Sequence, residues 1–177
     1  MKNRDINTTL SLESYLGKFI KVKIDRPLAS RHPEHGFVYC LNYGFIPDIV
    51  SGDGEEIDVY VVGEFEAVEA YEGYVVAVIK RKNDVEDKLV VCKEKGKYSK
   101  EQIMEFYCNS CCFANGIYGV EDASKKYFGC SVSDLSLSET AYLCSIPNRP
   151  EYYNPLRNSE NAITRRNKIL EDMYECG

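Results

Sequence analysis

The spacing of apolar residues changes near Gly96, and this change restricts the chain to a fold built from two unlike parts. Before Gly96, short runs of β-branched and aromatic residues are separated by glycine, proline or charged turns, a pattern typical of strands. The runs are Lys18–Asp25, Phe37–Leu41, Ile57–Val62, Tyr74–Lys80 and Lys88–Cys92. Five short strands at this spacing predict a small antiparallel β-barrel.

After Gly96 the apolar residues follow helical spacing instead. Two pairs have the sequence of a capping box, in which a serine and a Gln or Glu three positions later satisfy each other's backbone N–H groups. The pairs are Ser99 with Gln102 and Ser136 with Glu139. The predicted helices begin at Ser99, span Ser133–Ile146 and extend from Asn158 to Gly177. The chain is therefore predicted to be α+β, with a barrel domain at residues 1–98 and a helical segment at residues 99–177.

Composition is that of a globular protein and narrows the choice of partners. Hydrophobic residues make up 44% and charged residues 28% of the chain, as in soluble domains. The net charge of -6 argues against nucleic acid as a partner, because a phosphate backbone needs a basic surface. No apolar run approaches the roughly 20 residues of a membrane span, and the N-terminus is polar rather than signal-like. We expect a cytoplasmic protein with no membrane span, and a homo-oligomer is one of the states left open.

Six of the eight cysteines lie in the predicted helical segment. Three of them, Cys108, Cys111 and Cys112, are spaced so that a single helix would carry them on one face. A structural zinc site needs four ligands, and the chain has no second Cys-x-x-Cys at suitable spacing. We therefore interpret these thiols as small apolar core side chains rather than as metal ligands.

Residues 51–58 contain four acids on a glycine-containing loop. Three of them, Asp53, Glu55 and Asp58, are the candidate metal ligands and lie within six positions. Carboxylates this close repel one another unless cations neutralise them, and hard oxygen ligands on a short loop suit Mg²⁺. A solvated acidic turn is the alternative interpretation of this loop taken alone.

A second acidic cluster, residues 83–87, stands directly before the strand that Lys88 opens. Phosphoryl transfer needs metal ions that neutralise charge and generate a nucleophile, and cations that hold the phosphate oxygens. The candidate cations are Lys21, Arg31 and Lys88, and the candidate hydroxyl donor is Tyr43. Arg26, near Arg31, either widens this cationic pocket or lies on the surface. Together with the acids, these groups predict a polar site at the mouth of the barrel.

Several separated segments around these acids carry a family resemblance. Residues 20–25, 42–47, 52–59 and 86–89 read IKVKID, NYGFIP, GDGEEIDV and EDKL, and Arg31 stands twelve residues before Tyr43. In order and spacing they resemble the soluble family I inorganic pyrophosphatases, and most closely a short bacterial branch of that family. The resemblance covers roughly residues 12–103 and implies an OB-like barrel.

This resemblance implies Mg²⁺-dependent hydrolysis of inorganic diphosphate to two phosphates by a metal-activated water. It assigns the metal to Asp53, Glu55, Asp58, Asp84 and Glu86, the substrate to Lys21, Arg31, Tyr43 and Lys88, and the catalytic step to Asp58, Tyr43 and Lys88. Two residues depart from the family pattern, since Glu55 replaces an aspartate of the signature and Lys23 replaces a glutamate ligand. A non-catalytic module that binds phosphate-bearing ligands through the same cations is the alternative.

Segments after residue 99 carry a second resemblance. They are Lys100–Asn109, Asn115–Glu121, Tyr127–Gly129, Asp134–Glu139, Tyr153–Pro155 and Arg165–Leu170. They resemble the latter part of the glycosyltransferase domain of class A penicillin-binding proteins, which implies a lysozyme-like helical fold. Glu105 matches the second functional glutamate of that family, and no counterpart of the first one precedes Lys100. The resemblance therefore implies a remnant that binds cell-wall glycan rather than one that polymerises it.

Overall fold

The chain forms two compact units in the computed structural model, which describes residues 11–32, 38–50, 54–80 and 87–176. The first unit consists of residues up to Arg31 together with Leu41–Ile103, and the second of His32–Cys40 and the residues from Met104 onward. The domain boundary predicted at residue 98 stays a prediction, because a division into compact units does not show where one family domain ends and the next begins.

Five strands of the first unit form a closed barrel in the order β1-β2-β3-β5-β4, which confirms the predicted OB-like barrel. The strands are β1 (Phe19–Arg26), β2 (Asn42–Val50), β3 (Glu56–Val61), β4 (Ala70–Ile79) and β5 (Lys88–Cys92). Strands β3 and β5 pair in parallel, and the other neighbouring strands described are antiparallel. Closure pairs each described strand on both sides, which removes the exposed edges of an open sheet.

The barrel interior is filled by apolar side chains from alternate strand positions. In β1, Val22 and Ile24 are buried while the neighbouring lysines point outward. Strand β5 is buried along its whole length, and Tyr71 and the 3-10 turn residue Tyr15 join the same cluster. Each buried aliphatic side chain stabilises the fold by about 1.5–3 kcal/mol. Because apolar burial holds the barrel together, its outward positions are available for polar chemistry.

The second strand lies later in the chain than predicted, so the predicted strand at Phe37–Leu41 is wrong. Residues 38–41 lie outside the five strands, and β2 begins at Asn42. This strand contains Gly44 and Pro47, two residue types that weaken a strand pattern in a sequence. Pro47 has no backbone N–H to donate, and the pairing of β2 with β3 shifts register across it.

Gly44 lies where the backbones of β1 and β2 come close together. A Cβ atom at this position would overlap the carbonyl oxygen of Lys23 and the Cα of Ile24. Only glycine fits there, so the close approach of β1 and β2 requires a glycine at this position. Directly beyond this pair the register shifts, and Tyr43 pairs with Arg26.

Four helices follow the barrel strands in the described chain: α1 (Lys100–Ser110), α2 (Val120–Phe128), α3 (Leu137–Ser145) and α4 (Ser159–Glu175). Both predicted capping boxes are confirmed, since Ser99 and Gln102 exchange hydrogen bonds and Ser136 and Glu139 do the same. The helix predicted from Ser133 begins only at Leu137, after a 3-10 turn. Within the described ranges, no helix combines the length and apolar character needed to cross a membrane.

Helix α2 has no counterpart among the predicted helices. It spans nine residues between Gly119 and Gly129, and Gly129 has a left-handed φ of 75°. A glycine in this conformation is a common helix terminator. Acidic residues in the first turn and lysines in the last turn complement the helix dipole. These signals are present in the sequence, but the helix is too short for a clear apolar period.

The three cysteines predicted to share a helical face do not share one, because α1 ends at Ser110. Cys108 lies within α1, whereas Cys111 and Cys112 follow its end. Cys112 pairs with Tyr118 in an isolated β-bridge. Cys111 packs against the buried cluster of the helical unit, as a small core side chain does. That cluster contains Phe113, Ala114, Ala123, Leu143 and Ile146.

Candidate active site

Polar side chains line an open pocket of about 420 Å³ on the barrel unit. The lining residues are Asp25, Arg26, Tyr43, Phe45, Glu55, Glu56, Asp58 and Lys88. Strand alternation explains the exposure of Asp58, because its neighbours Ile57 and Val59 point into the barrel core. Four carboxylates, two cations and a phenol thus share one pocket.

Lys88 contacts both Asp58 and Tyr43 in this pocket. Its Nζ atom forms an ion pair with the Asp58 carboxylate and donates a hydrogen bond to the Tyr43 hydroxyl at 2.8 Å. The Lys88 residue is only 7% exposed. Strands β3 and β5 run in parallel with Val59 opposite Leu89, so Asp58 and Lys88, one residue earlier on each strand, are neighbours. Strand register therefore brings the acid and the ammonium together.

Burial raises the pKa of the Tyr43 hydroxyl far above its ordinary range. The negative charge of Asp58 raises this pKa further, whereas the Arg26 guanidinium lowers it. The Arg26 Cζ atom lies 5.0 Å from the centre of the Tyr43 ring, and Tyr60 packs edge-on against the same ring at 4.8 Å. The phenol is therefore protonated at physiological pH, and it can donate a hydrogen bond but cannot act as a base.

The carboxylates of the pocket are ligands of the kind that Mg²⁺ prefers. Mg²⁺ needs only one or two carboxylates, because water and substrate oxygens complete its shell. No three His, Cys, Asp or Glu side chains of the described residues converge on one metal position. Of the predicted ligands, Glu55 and Asp58 line the pocket. Asp53, Asp84 and Glu86 lie outside the described residues.

Two predicted substrate-binding residues do not line this pocket. Lys21 lies in a different pocket of the barrel unit, where its Nζ atom is 3.7 Å from the Glu72 carboxylate and both side chains are largely exposed. Arg31 is exposed at the end of the first unit's N-terminal segment. The roles of both residues in substrate binding stay predictions.

Two charged residues of the pocket, Asp25 and Glu56, are absent from the set predicted from the sequence, and the sequence leaves Arg26 open between the pocket and the surface. Asp25 and Arg26 end β1, and Glu56 begins β3. The sequence signal for the first two is the polar end of an alternating strand, and for Glu56 it is the adjacent Glu55. These signals are weak, because charged residues at strand ends usually point into solvent.

A buried hydrogen-bond network joins two loops of the helical unit. Asn115 and Asn154 exchange hydrogen bonds between their side-chain amides at 3.1 and 3.0 Å, and Asn154 is fully buried. The Tyr127 hydroxyl accepts a hydrogen bond from Asn115 and donates one to the Phe113 carbonyl at 2.7 Å. Asn154 also accepts from the Leu156 N–H. Because buried amides are costly to leave unpaired, this network fixes both loops.

The fold and the pocket define a closed OB-type barrel with a polar pocket, joined to a helical unit. The family profile described as inorganic pyrophosphatase matches residues 13–109, and the one described as transglycosylase matches residues 79–174. Each match spans more than half of the 177 residues, and the chain therefore belongs to both families. Both predicted resemblances are confirmed. Membership of the first family supports the expectation that the barrel half is an inorganic diphosphatase.

Each relative described here matches part of this chain. Penicillin-binding protein 2a of Streptococcus pneumoniae is 51% identical over 81 residues, which are 46% of this chain and 11% of the relative. Penicillin-binding protein 1A of Aquifex aeolicus is 41% identical over 93 residues, 52% of this chain and 13% of the relative. The chain thus spans little more than a tenth of the length of these relatives. The crystal structure of an inorganic pyrophosphatase from Neisseria gonorrhoeae matches 59% of this chain and 78% of its own, with 24% identity and a TM-score of 0.40.

Proposed function

We propose that the barrel unit hydrolyses inorganic diphosphate to two phosphates. The observation that carries this proposal is the contact of Lys88 with both Asp58 and Tyr43 in a pocket lined by further carboxylates. Phosphoryl transfer depends on positioning and charge neutralisation rather than on covalent chemistry by the protein. The pocket offers both, because fixed cations and a protonated phenol lie beside acids. Membership of the inorganic pyrophosphatase family supports the same reaction class.

Three residues have defined tasks in this proposal. Lys88 neutralises a non-bridging oxygen of the substrate, and its burial strengthens that interaction. Its raised pKa keeps Tyr43 protonated. The hydroxyl therefore donates a hydrogen bond to a phosphoryl oxygen as negative charge develops there. Asp58 holds the Lys88 ammonium in place.

Mg²⁺ is the proposed cofactor of this unit. Asp58 and Glu55 would hold it, together with Asp53, Asp84 and Glu86 as assigned from the sequence. When bound, the ion supplies neutralisation of phosphate charge and a water of lowered pKa. Lys88 contacts the Asp58 carboxylate, so this acid would serve both the ammonium and the ion.

Lys23 supports a non-catalytic alternative for the same pocket. It is paired with Phe45 across β1 and β2, and its Nζ atom lies 5.6 Å from the centre of that ring. Phe45 lines the pocket, so Lys23 adds positive charge near its edge. A pocket with fewer metal ligands and an added cation suits retention of a phosphate-bearing ligand without turnover. Both alternatives use Tyr43 and Lys88, so binding alone does not separate them.

Turnover distinguishes the enzyme from the binding module. The purified full chain is given inorganic diphosphate with Mg²⁺, and phosphate release is measured over time. The proposed hydrolase releases phosphate, and Asp58→Ala removes the activity. Absence of release across a wide range of Mg²⁺ and Mn²⁺ concentrations would instead support the binding module.

The helical unit has a separate proposed role, which is binding of cell-wall glycan. Its match to the transglycosylase family supports this role. Glu105 is exposed on α1, and a single carboxylate does not supply the pair expected for glycan polymerisation. A titration of the full chain with a soluble peptidoglycan fragment, followed by NMR, tests the proposal. Unchanged resonances at saturating fragment would reject it.

A further inference from the structure

We propose that Arg26 is a second diphosphate-binding cation of the barrel pocket, acting beside Lys88. The inference rests on the proposed function, because it concerns the same pocket and the same substrate class. Arg26 is not among the residues that the sequence assigns to the substrate. Its place in the pocket results from an irregularity in strand pairing.

A β-bulge at Asp25 turns Arg26 toward the pocket. Lys23 pairs with Phe45 and Ile24 with Gly44, but the next pair joins Arg26 to Tyr43, so Asp25 has no partner of its own on β2. In a regular strand Arg26 would share the inward face of Ile24, because side chains alternate. One extra residue reverses that alternation, and bulges commonly redirect side chains in this way next to active sites. Arg26 is thus placed on the same face as Tyr43.

The guanidinium of Arg26 lies against the ring that Lys88 also approaches. Its Cζ atom is 5.0 Å from the centre of the Tyr43 ring, and the Lys88 Nζ atom is 5.4 Å from the same centre. Both cations therefore lie beside one phenol in the same pocket. A guanidinium also binds phosphate through two parallel N–H donors, which an ammonium cannot do.

Asp25 holds the guanidinium from its other side. The Nε atom of Arg26 lies 3.5 Å from the Asp25 carboxylate, and the Arg26 side chain is 42% exposed. Stacking on Tyr43 and pairing with Asp25 therefore hold the guanidinium in the pocket.

The main test is direct binding of methylenediphosphonate, a diphosphate that cannot be hydrolysed, measured by calorimetry with Mg²⁺ present. We expect Arg26→Gln to weaken binding about tenfold, the lower end for loss of a hydrogen bond to a charged group. Arg26→Lys keeps the charge but loses the paired donors. Its affinity for methylenediphosphonate is expected to lie between those of the unchanged protein and Arg26→Gln. Arg149→Gln is the matched control, because Arg149 also stacks on a tyrosine, with its Cζ atom 5.5 Å from the Tyr152 ring centre. It is expected to bind as the unchanged protein does.

The readouts separate substrate binding from a structural role and from the proposed function. If Arg26 only supports the Tyr43 ring, Arg26→Gln lowers the unfolding temperature without changing the affinity for methylenediphosphonate, and the proposal is overturned. It is also overturned if the unchanged protein binds no methylenediphosphonate. If the unchanged protein binds the ligand, Arg26→Gln weakens binding, and diphosphate is not turned over, the inference on Arg26 stands while the proposed hydrolysis fails. With turnover present, Arg26→Gln is expected to raise KM about tenfold and to change kcat less than twofold.

Discussion

Lys88 donates a hydrogen bond to the hydroxyl of Tyr43 at 2.8 Å, although 45 residues separate the two in the chain. They stand on β5 and β2, which are not neighbours in the barrel, since β3 lies between them. Asp58 on β3 fills the gap and binds the same ammonium. The parallel pairing of β3 and β5 is what allows three polar residues from three strands to meet. The pocket is thus a product of the barrel topology and not of one loop.

Replacement of Asp58 by asparagine is predicted to stop hydrolysis while keeping the size of the side chain. Asp58→Asn removes the negative charge that holds Lys88 and that is proposed to bind Mg²⁺. We expect phosphate release to fall by about 100-fold or more, as for loss of one preorganised electrostatic group in an active site. Glu94→Gln is the control, because Glu94 pairs with Lys97 at 3.4 Å on an exposed surface. Asp58→Asn with more than half of the original activity would contradict the proposed role.

Removal of the Tyr43 hydroxyl is predicted to impair turnover more than stability. Tyr43→Phe keeps the ring that packs against Tyr60 but loses the partner of Lys88. We expect kcat to fall about 10- to 100-fold through loss of one transition-state donor. The free energy of unfolding should fall by only about 1 kcal/mol, the net worth of one hydrogen bond. Steady-state kinetics and urea unfolding of Tyr43→Phe and of Tyr60→Phe measure both effects. Equal loss of activity in the two variants would show that the Tyr43 hydroxyl matters no more than the Tyr60 hydroxyl, which would contradict its proposed role.

The strands and capping boxes that sequence reasoning finds correctly are those with a local signal. Alternation in β1 and the serine–glutamate pair before α3 need no knowledge of distant residues. Strand β2 is displaced in the prediction because Gly44 and Pro47 interrupt it, and both serve contacts with other strands. Helix α2 is missed because its nine residues give too short a period. Local rules therefore fail where tertiary contacts set the choice.

The residues of the candidate site also differ in whether neighbouring sequence or strand pairing reveals them. The density of acids on the loop before β3 indicates Glu55 and Asp58, and both line the pocket. The sequence leaves Arg26 open between the pocket and the surface, because a bulge that depends on pairing with β2 directs it to the pocket. Lys21 was assigned through family resemblance, and the barrel places it beside Glu72 in another pocket. Neither position follows from strand alternation alone.

Stability of the barrel unit is predicted to fall at alkaline pH because of Tyr43. Its pKa is raised in the folded state by burial first and by Asp58 second, whereas the unfolded chain ionises this phenol near pH 10. Above about pH 10 the unfolded state therefore binds fewer protons than the folded state, and the free energy of unfolding decreases as pH rises. This group contributes a loss of about 1.4 kcal/mol per pH unit.

Comparison with Tyr43→Phe isolates this contribution, because the other tyrosines are common to both proteins. Urea unfolding is followed at several pH values from about 9 to about 11. We expect the difference in unfolding free energy between the two proteins to be constant below about pH 10 and to shift in favour of Tyr43→Phe above it. A constant difference over the whole range would mean that the folded protein ionises Tyr43 as readily as the unfolded chain does.

Asn154 is predicted to be a main determinant of stability in the helical unit. Its fully buried amide exchanges two hydrogen bonds with Asn115 and accepts a third from the Leu156 N–H. Asn154→Ala removes these three hydrogen bonds from a fully buried position, which costs about 2–3 kcal/mol of unfolding free energy. Asn161→Ala is the control, because among the described contacts the Asn161 side chain makes a single hydrogen bond, of 3.3 Å, to a backbone carbonyl. It should change stability by about 0.5 kcal/mol or less.

Urea unfolding monitored by circular dichroism measures both asparagine variants. Phosphate release by Asn154→Ala should stay within about twofold of the unchanged protein, because Asn154 is not among the residues that line the barrel pocket. Equal destabilisation by the two variants would show that the Asn115–Asn154 pair contributes no more than a surface hydrogen bond. A loss of phosphate release larger than the loss of folded protein would instead show that hydrolysis depends on the helical unit, so the same variant tests whether the barrel pocket is sufficient.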